Sequence, residues 1–121
     1  MTNNQRGNQG EVLVASLLPD SVHLNQDREQ YGNVDILWQG IQIDVKTTEI
    51  QSQATCAYFT PKPKAKDIVY VLVGIDEDKH YFWVRHSAEK FLHNARLGTQ
   101  LSTNELSQAI IDCQNLSKES K

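Results

Sequence analysis

Nothing in the 121 residues approaches the roughly eighteen consecutive apolar side chains of a membrane-spanning helix, so no such span is expected. The polar start Met1-Thr2-Asn3-Asn4-Gln5-Arg6 lacks the apolar stretch of a secretory signal, which points to a cytoplasmic protein. Cysteine is scarce: Cys56 and Cys113 stand far apart, with no Cys or His beside either at a zinc-binding spacing. That favours two thiols over a disulfide or a metal clip. Also missing are a glycine-rich phosphate loop, a Ser-His-Asp set and a cysteine nucleophile, which removes several common catalytic readings. Nor is there an excess of positive charge. A net charge of -3 argues against indiscriminate wrapping of nucleic acid, although one local basic stripe can still bind phosphates.

What is present fits one modest core. With 39% hydrophobic and 22% charged residues the composition is ordinary for a globular chain, and no internal repeat or domain boundary interrupts it. A single domain over residues 1–121 is expected, with the first few residues and 117–121 loose. The most informative stretch is Val34-Asp35-Ile36-Leu37-Trp38, a Gln39-Gly40 turn, then Ile41-Gln42-Ile43-Asp44-Val45-Lys46-Thr47-Thr48. Ile41, Ile43 and Val45 share one parity, and Gln42, Asp44, Lys46 and Thr48 share the other, the period of a strand with one buried face. Asp44 and Lys46 therefore point to the same side. Gly tolerates positive φ, so Gln39-Gly40 reads as a tight reversal that lays the strand of Asp35 antiparallel to that of Asp44.

Around this hairpin the other elements fall into place. Gly7 to Leu18 reads as a helix ended by Pro19, with Glu11, Ala15 and Leu18 on one stripe. Glu11 then faces inward, or serves as an acid near the helix start, where the dipole favours negative charge. Ser21 to Asn25 reads as a short strand and Gln26 to Asn33 as a loop. From Glu49 to Asp67 the pattern dissolves, with a short helix around Gln51 to Tyr58 and an exposed, proline-stiffened segment carrying Lys62, Lys64 and Lys66. Ile68 to Ile75 is a near-continuous β-branched run, the pattern of a central strand buried on both faces. Asp76 to Lys79 turns it into the aromatic strand His80 to Arg85. Ser87 caps a helix whose apolar side is Phe91, Leu92 and Ala95 and which Gly98 closes. Ser102-Thr103-Asn104-Glu105 is a capping box that opens a last helix with Leu106, Ala109, Ile110 and Cys113 on its apolar face. The whole is an α/β domain with a central mixed sheet of four to five strands flanked by helices.

The chemistry of the hairpin points to a hard metal ion. Mg²⁺ takes oxygen ligands in an octahedron and keeps several waters, so one to three carboxylates suffice, and Asp35, Asp44 and Glu11 supply them. An ion held there would polarise a phosphoryl oxygen and make hydroxide available near neutral pH. Lys46, on the face of Asp44, is placed to orient that water and offset the charge on phosphorus. His80 and His86 share a parity but lie about 20 Å apart along an extended strand, too far for one metal. Trp38, Tyr81 and Trp83 read as packing residues rather than base-stacking ones.

Asp35, eight intervening residues, then Asp44-Val45-Lys46 resembles the motif of the PD-(D/E)XK nuclease superfamily, and a preceding helix with Glu11 is similar to its archaeal-type Holliday junction resolvases. The resemblance covers Gly7 to Thr48. Val34 stands where the family name has proline, and Gln53 and Tyr58 do not match the Q-x-x-x-Y spacing of exonuclease-type relatives. The likeness implies a restriction-endonuclease-like fold with an αβββ-αβ core and an endonuclease that hydrolyses DNA phosphodiester bonds with Mg²⁺ or Mn²⁺. It implies Asp35, Asp44, Glu11 and the Val45 carbonyl as metal ligands, and Lys46 as the residue that handles the water. Thr48, Lys62, Lys64, Lys66 and Arg6 are candidates for contacts to DNA. Cutting two strands calls for two sites related by a two-fold axis, so a homodimer is expected, with the apolar terminal helix as its interface. Two plainer roles remain open: a non-catalytic module of the same fold that binds nucleic acid or protein, and an assembly subunit.

Overall fold

Gln39 and Gly40 both adopt the left-handed backbone region, with φ of 52° and 78°, as a two-residue hairpin of the primed type requires. They join Trp38 to Ile41, which face each other as the last pair of an antiparallel ladder that also matches Leu37 with Gln42 and Ile36 with Ile43. The computed structural model describes residues 3–23, 35–51, 53–59, 68–77, 79–86 and 94–119. Its elements are α1 (Asn3–Leu17), β1 (Val22–His23), β2 (Ile36–Trp38), β3 (Ile41–Glu49), β4 (Cys56–Tyr58), β5 (Val69–Asp76), β6 (Lys79–His86), β7 (Asn94–Arg96) and α2 (Leu106–Glu119).

Five strands form the main sheet in the order β1-β2-β3-β5-β6, and β4 and β7 make a separate two-stranded ribbon. The sheet is mixed. β3 runs parallel to β5 from Ile43 opposite Val69 to Glu49 opposite Ile75, whereas β1, β2 and β6 join their neighbours antiparallel. A parallel pair needs a long crossover, and the chain between β3 and β5 provides it.

The two faces of the sheet bury different things. Against α1 and α2 lie Ile36, Trp38, Ile41, Ile43, Val45, Val69, Val71, Val73, Ile75 and Phe82, closed over by Val14 from α1, by Leu18 just after it, and by Leu106 and Ile110 from α2. On the opposite face Ile68, Tyr70, Leu72 and Trp83 pack against Phe59 and the small Ala57 and Ala95 of the ribbon. Trp83 meets Phe59 edge-on, and Tyr81 stacks on Trp83 at 6.3 Å. Trp38 ties hairpin to helix through its indole N–H, which donates to the Pro19 carbonyl at 2.9 Å. Of the three aromatics named as packing residues, Trp38 and Trp83 are buried and Tyr81 is partly buried against the ribbon-side cluster.

Several expectations need correction. The first helix starts at Asn3 rather than Gly7, so the polar opening continues the helix, and α2 runs through Glu119 into the tail expected to be loose. The helix around Gln51 to Tyr58 is absent: Cys56 to Tyr58 form β4, whose partner β7 occupies part of the helix expected to reach Gly98. Ala95 is buried there in a strand, where its small side chain lets the ribbon lie close to Trp83. Residues 87–93 lie outside the described part. An αβββ-αβ core would also place a helix between the third strand and the next, whereas the described part of that crossover holds the strand β4. On the terminal helix Leu106 and Ile110 are fully buried within the fold. The capping box forms its reach-back bond, with the Ser102 amide donating to Glu105 Oε1 at 3.0 Å. No helix among the described residues is long and apolar enough to cross a membrane.

Candidate active site

β2 pairs with β3 only as far as Ile36 opposite Ile43, and just before it the Asp35 amide donates to the Ile43 carbonyl at 3.0 Å. Further along β3, the Val45 amide turned toward that side has no strand partner. Asp35 takes its place: its Oδ2 accepts from the Val45 N–H at 2.8 Å. Within a strand a residue's N–H and C=O point to the same side, so the Val45 carbonyl is also directed toward Asp35. One carboxylate thus finishes a ladder that the strand itself leaves open.

Two further carboxyl groups meet it. The Asp44 carboxyl, from β3, and the Glu11 carboxyl, from α1, both act on Asp35. Exposure of the three is 6% for Glu11, 7% for Asp35 and 1% for Asp44, so the cluster is set into the protein rather than laid on its surface. Burial lifts the Asp35 pKa above its ordinary 3.8; the Asp44 carboxyl and the Val45 amide pull it down, and the Glu11 carboxyl pushes it up. The Lys46 ammonium stands 3.5 Å from Asp44 Oδ2, with about a third of its side chain exposed. It is the cationic rim of an otherwise anionic corner.

Helix α1 brings Glu11 to this corner by an unusually close approach. Gly10 packs on Thr47 of β3, and a Cβ at residue 10 would overlap the Thr47 hydroxyl. With no side chain in the way, the helix lies against the strand and the next residue reaches Asp35. Glu11 sits in the interior of a helix that begins at Asn3, so the helix dipole does not explain it.

Glu11, Asp35, Asp44 and Lys46, named from sequence, are therefore brought together, with the Val45 backbone beside them. Thr48 lies two residues beyond Lys46 on the same strand, half-buried. Lys62, Lys64 and Lys66 lie outside the described residues, as does the side chain of Arg6 within α1. His80 and His86 stand at opposite ends of β6, away from one another. Neither Cys56 nor Cys113 forms a disulfide.

Tyr70 escaped the sequence reading. It is the register partner of Asp44 on β5 and is completely buried, and burial first, then the nearby Asp44 charge, raises its phenol pKa. In a run as uniformly apolar as Ile68 to Ile75 nothing singles it out, because its position opposite Asp44 follows only from the parallel register.

All the donors converging here are oxygens, which suits a hard divalent cation. Among the described residues no group of three or more His, Cys, Asp or Glu side chains is placed to hold a metal ion. No known family model, curated protein or solved structure matches this chain.

Proposed function

We propose that this domain is a metal-dependent endonuclease of the PD-(D/E)XK type, hydrolysing phosphodiester bonds in DNA at the corner formed by Glu11, Asp35, Asp44 and Lys46. The observation that carries this reading is the buried meeting of Asp35 with the Asp44 and Glu11 carboxyls, with Lys46 at the rim. Three carboxyls from separate places in the chain are gathered where burial penalises their charge, a costly arrangement that a cation would relieve. An ordinary solvated strand face would show Asp44 and Lys46 exposed. Here Asp44 is almost wholly buried.

Asp35 and Asp44 would hold the ion, with the Val45 carbonyl and Glu11 completing its protein ligands. Mg²⁺, or Mn²⁺ in its place, supplies charge stabilisation for the phosphoryl group and a lowered pKa for water. The protein's own part is positional. The Val45 amide fixes the Asp35 carboxylate, Asp35 and Glu11 orient each other, and Lys46 directs the attacking water and offsets charge building on phosphorus. As the water oxygen bonds to phosphorus, the bond to the leaving sugar oxygen breaks. The lysines at 62, 64 and 66, with Arg6 and Thr48, are the candidates to hold the flanking phosphates. Cleavage of both strands would require two copies related by a two-fold axis.

The test is incubation of purified protein with single-stranded, duplex and branched DNA, and with RNA, in Mg²⁺ or Mn²⁺. Cleavage of DNA is expected, reduced at least about 1,000-fold by Asp44→Asn and by Lys46→Ala. Cleavage that persists in both variants would show that the chemistry resides elsewhere.

A further inference from the structure

The ribbon of β4 and β7 separates its side chains cleanly. Ala57 and Ala95 face the sheet and are buried, whereas Tyr58, Asn94 and Arg96 face solvent, with Cys56 half-buried at the same level. Register places Tyr58 opposite Asn94 and Cys56 opposite Arg96, and the Leu97 amide extends the ladder to the Thr55 carbonyl at 2.8 Å. Tyr58 and Arg96 are therefore diagonal neighbours on one face, roughly 7 Å apart at the backbone. Tyr58 is 68% exposed, one of only three large hydrophobic side chains left so open among the described residues. An aromatic ring standing free on a flat ribbon gives nothing to the core beneath it.

Charge is distributed unevenly along the chain. The stretches 50–66 and 90–104, from which β4 and β7 are drawn, contain five of the twelve lysines and arginines and none of the fifteen aspartates and glutamates. The rest of the molecule is accordingly far more acidic than the net charge of -3 indicates. Among the described residues, Cys56–Tyr58 and Asn94–Arg96 pair two segments distant in sequence into one ribbon that carries Arg96 and no carboxylate. Asp44 and Lys46 are in register with Tyr70 and Leu72, which pack in one cluster with Ala57 and Ala95 of the ribbon.

We propose that the outer face of this ribbon, Tyr58 with Asn94 and Arg96, is a platform for a polynucleotide strand, Arg96 contacting a phosphate and the Tyr58 ring stacking on an unpaired base. The assignment rests on the reading of the neighbouring corner as a site that cuts DNA. A cation combined with an open aromatic face on a ribbon whose own strands carry no carboxylate is the chemistry that retains single strands without reading their sequence. Asn94 adds a hydrogen-bonding amide between the two.

The experiment is fluorescence anisotropy of a labelled 20-nucleotide single strand, and of the matching duplex, titrated with the full chain in EDTA over a range of salt. EDTA prevents cleavage, so binding is read separately from chemistry. Wild-type protein is expected to bind the single strand more tightly than the duplex. Tyr58→Ala should weaken single-strand binding about 10-fold with the salt slope unchanged, and Tyr58→Phe should restore it. Arg96→Gln should reduce the salt slope by about one ion. All three side chains are exposed, so circular dichroism and Tm should match wild type. Equal affinity for duplex and single strand, or binding indifferent to both Tyr58→Ala and Arg96→Gln, overturns the platform even if Asp44→Asn abolishes cleavage. Conversely, ribbon variants that lose binding while cleavage ignores Asp44 and Lys46 would sustain the platform and overturn the corner.

Discussion

Ile43 and Asp44 are adjacent on β3 and point to opposite faces of one sheet, and the two faces have been given different work. The face under α1 and α2 buries apolar side chains, mostly aliphatic with Trp38 and Phe82 among them, where every group loses water and gains packing. The other face buries a carboxylate, a phenol and two large aromatics under a thin ribbon of small residues. Its polar groups are costly to bury, and their convergence adds nothing that a hydrocarbon core would not supply better. The lesson is that the pleat of one strand sends Ile43 into packing and Asp44 toward the carboxyl corner, to which Glu11 comes from α1. A one-residue slip in register would exchange the two.

That contrast can be broken at neighbouring positions. The largest effect is expected at Asp44: Asp44→Asn should reduce cleavage by about 1,000-fold, equivalent to about 4 kcal/mol in the barrier, with Tm unchanged or raised. Ile43→Ala should do the reverse. It removes a fully buried side chain from the helix-covered face, at a cost of about 3 kcal/mol in urea unfolding and a fall of about 10 °C in Tm. If both substitutions lowered stability alike, the division between the faces would be wrong.

A smaller effect is expected from protonation at the corner. Burial raises the Asp35 pKa in the folded state, so the folded chain holds its proton to higher pH than the unfolded chain does. Its contribution to stability is complete below the ordinary carboxylate pKa of 3.8 and is lost as pH rises through the folded value. Asp35→Asn, which keeps an oxygen for the Val45 amide, should remove this loss and raise stability near pH 7 by about 1 kcal/mol, read as a flatter plot of Tm against pH. At Gly10 two effects compete. Alanine gains about 1 kcal/mol in helix propensity, but its Cβ would collide with Thr47, and the collision should win by about 1 kcal/mol. Thr47→Ala should reverse the loss in a double-mutant cycle measured by thermal unfolding. The smallest change should come from Glu105→Ala at the start of α2. Bonds from the Ser102 amide and hydroxyl lower its pKa, so the support it gives is present above the ordinary carboxylate range and fades as pH falls through the lowered value.

The hairpin and the corner were legible because their signals are local. Alternation assigns Asp44 and Lys46 to one side, the Gln39-Gly40 turn sets the fold-back, and a glutamate on an apolar helix stripe needs a partner inside. The ribbon was not legible. Each of its strands has three residues, with one alanine as the only buried side chain, too short for any period to emerge. Ala95 stands at helical spacing from Phe91 and Leu92, and only the distant partner Ala57 reveals what Ala95 is for. Tyr70 was hidden for a related reason: a central strand buried on both faces looks the same whichever residue stands beside a carboxylate.

The central claim is that the buried carboxyls of Glu11, Asp35 and Asp44 exist to receive a divalent cation. Calorimetric titration of Mn²⁺ into the metal-free protein at pH 7.5 addresses it without any substrate. Saturable binding of metal is expected for wild type, with the heat lost in Asp35→Asn and in Asp44→Asn although both variants remain folded. Absence of heat in wild type, or the same heat in all three proteins, would mean that the carboxyls are joined for some purpose other than holding a metal.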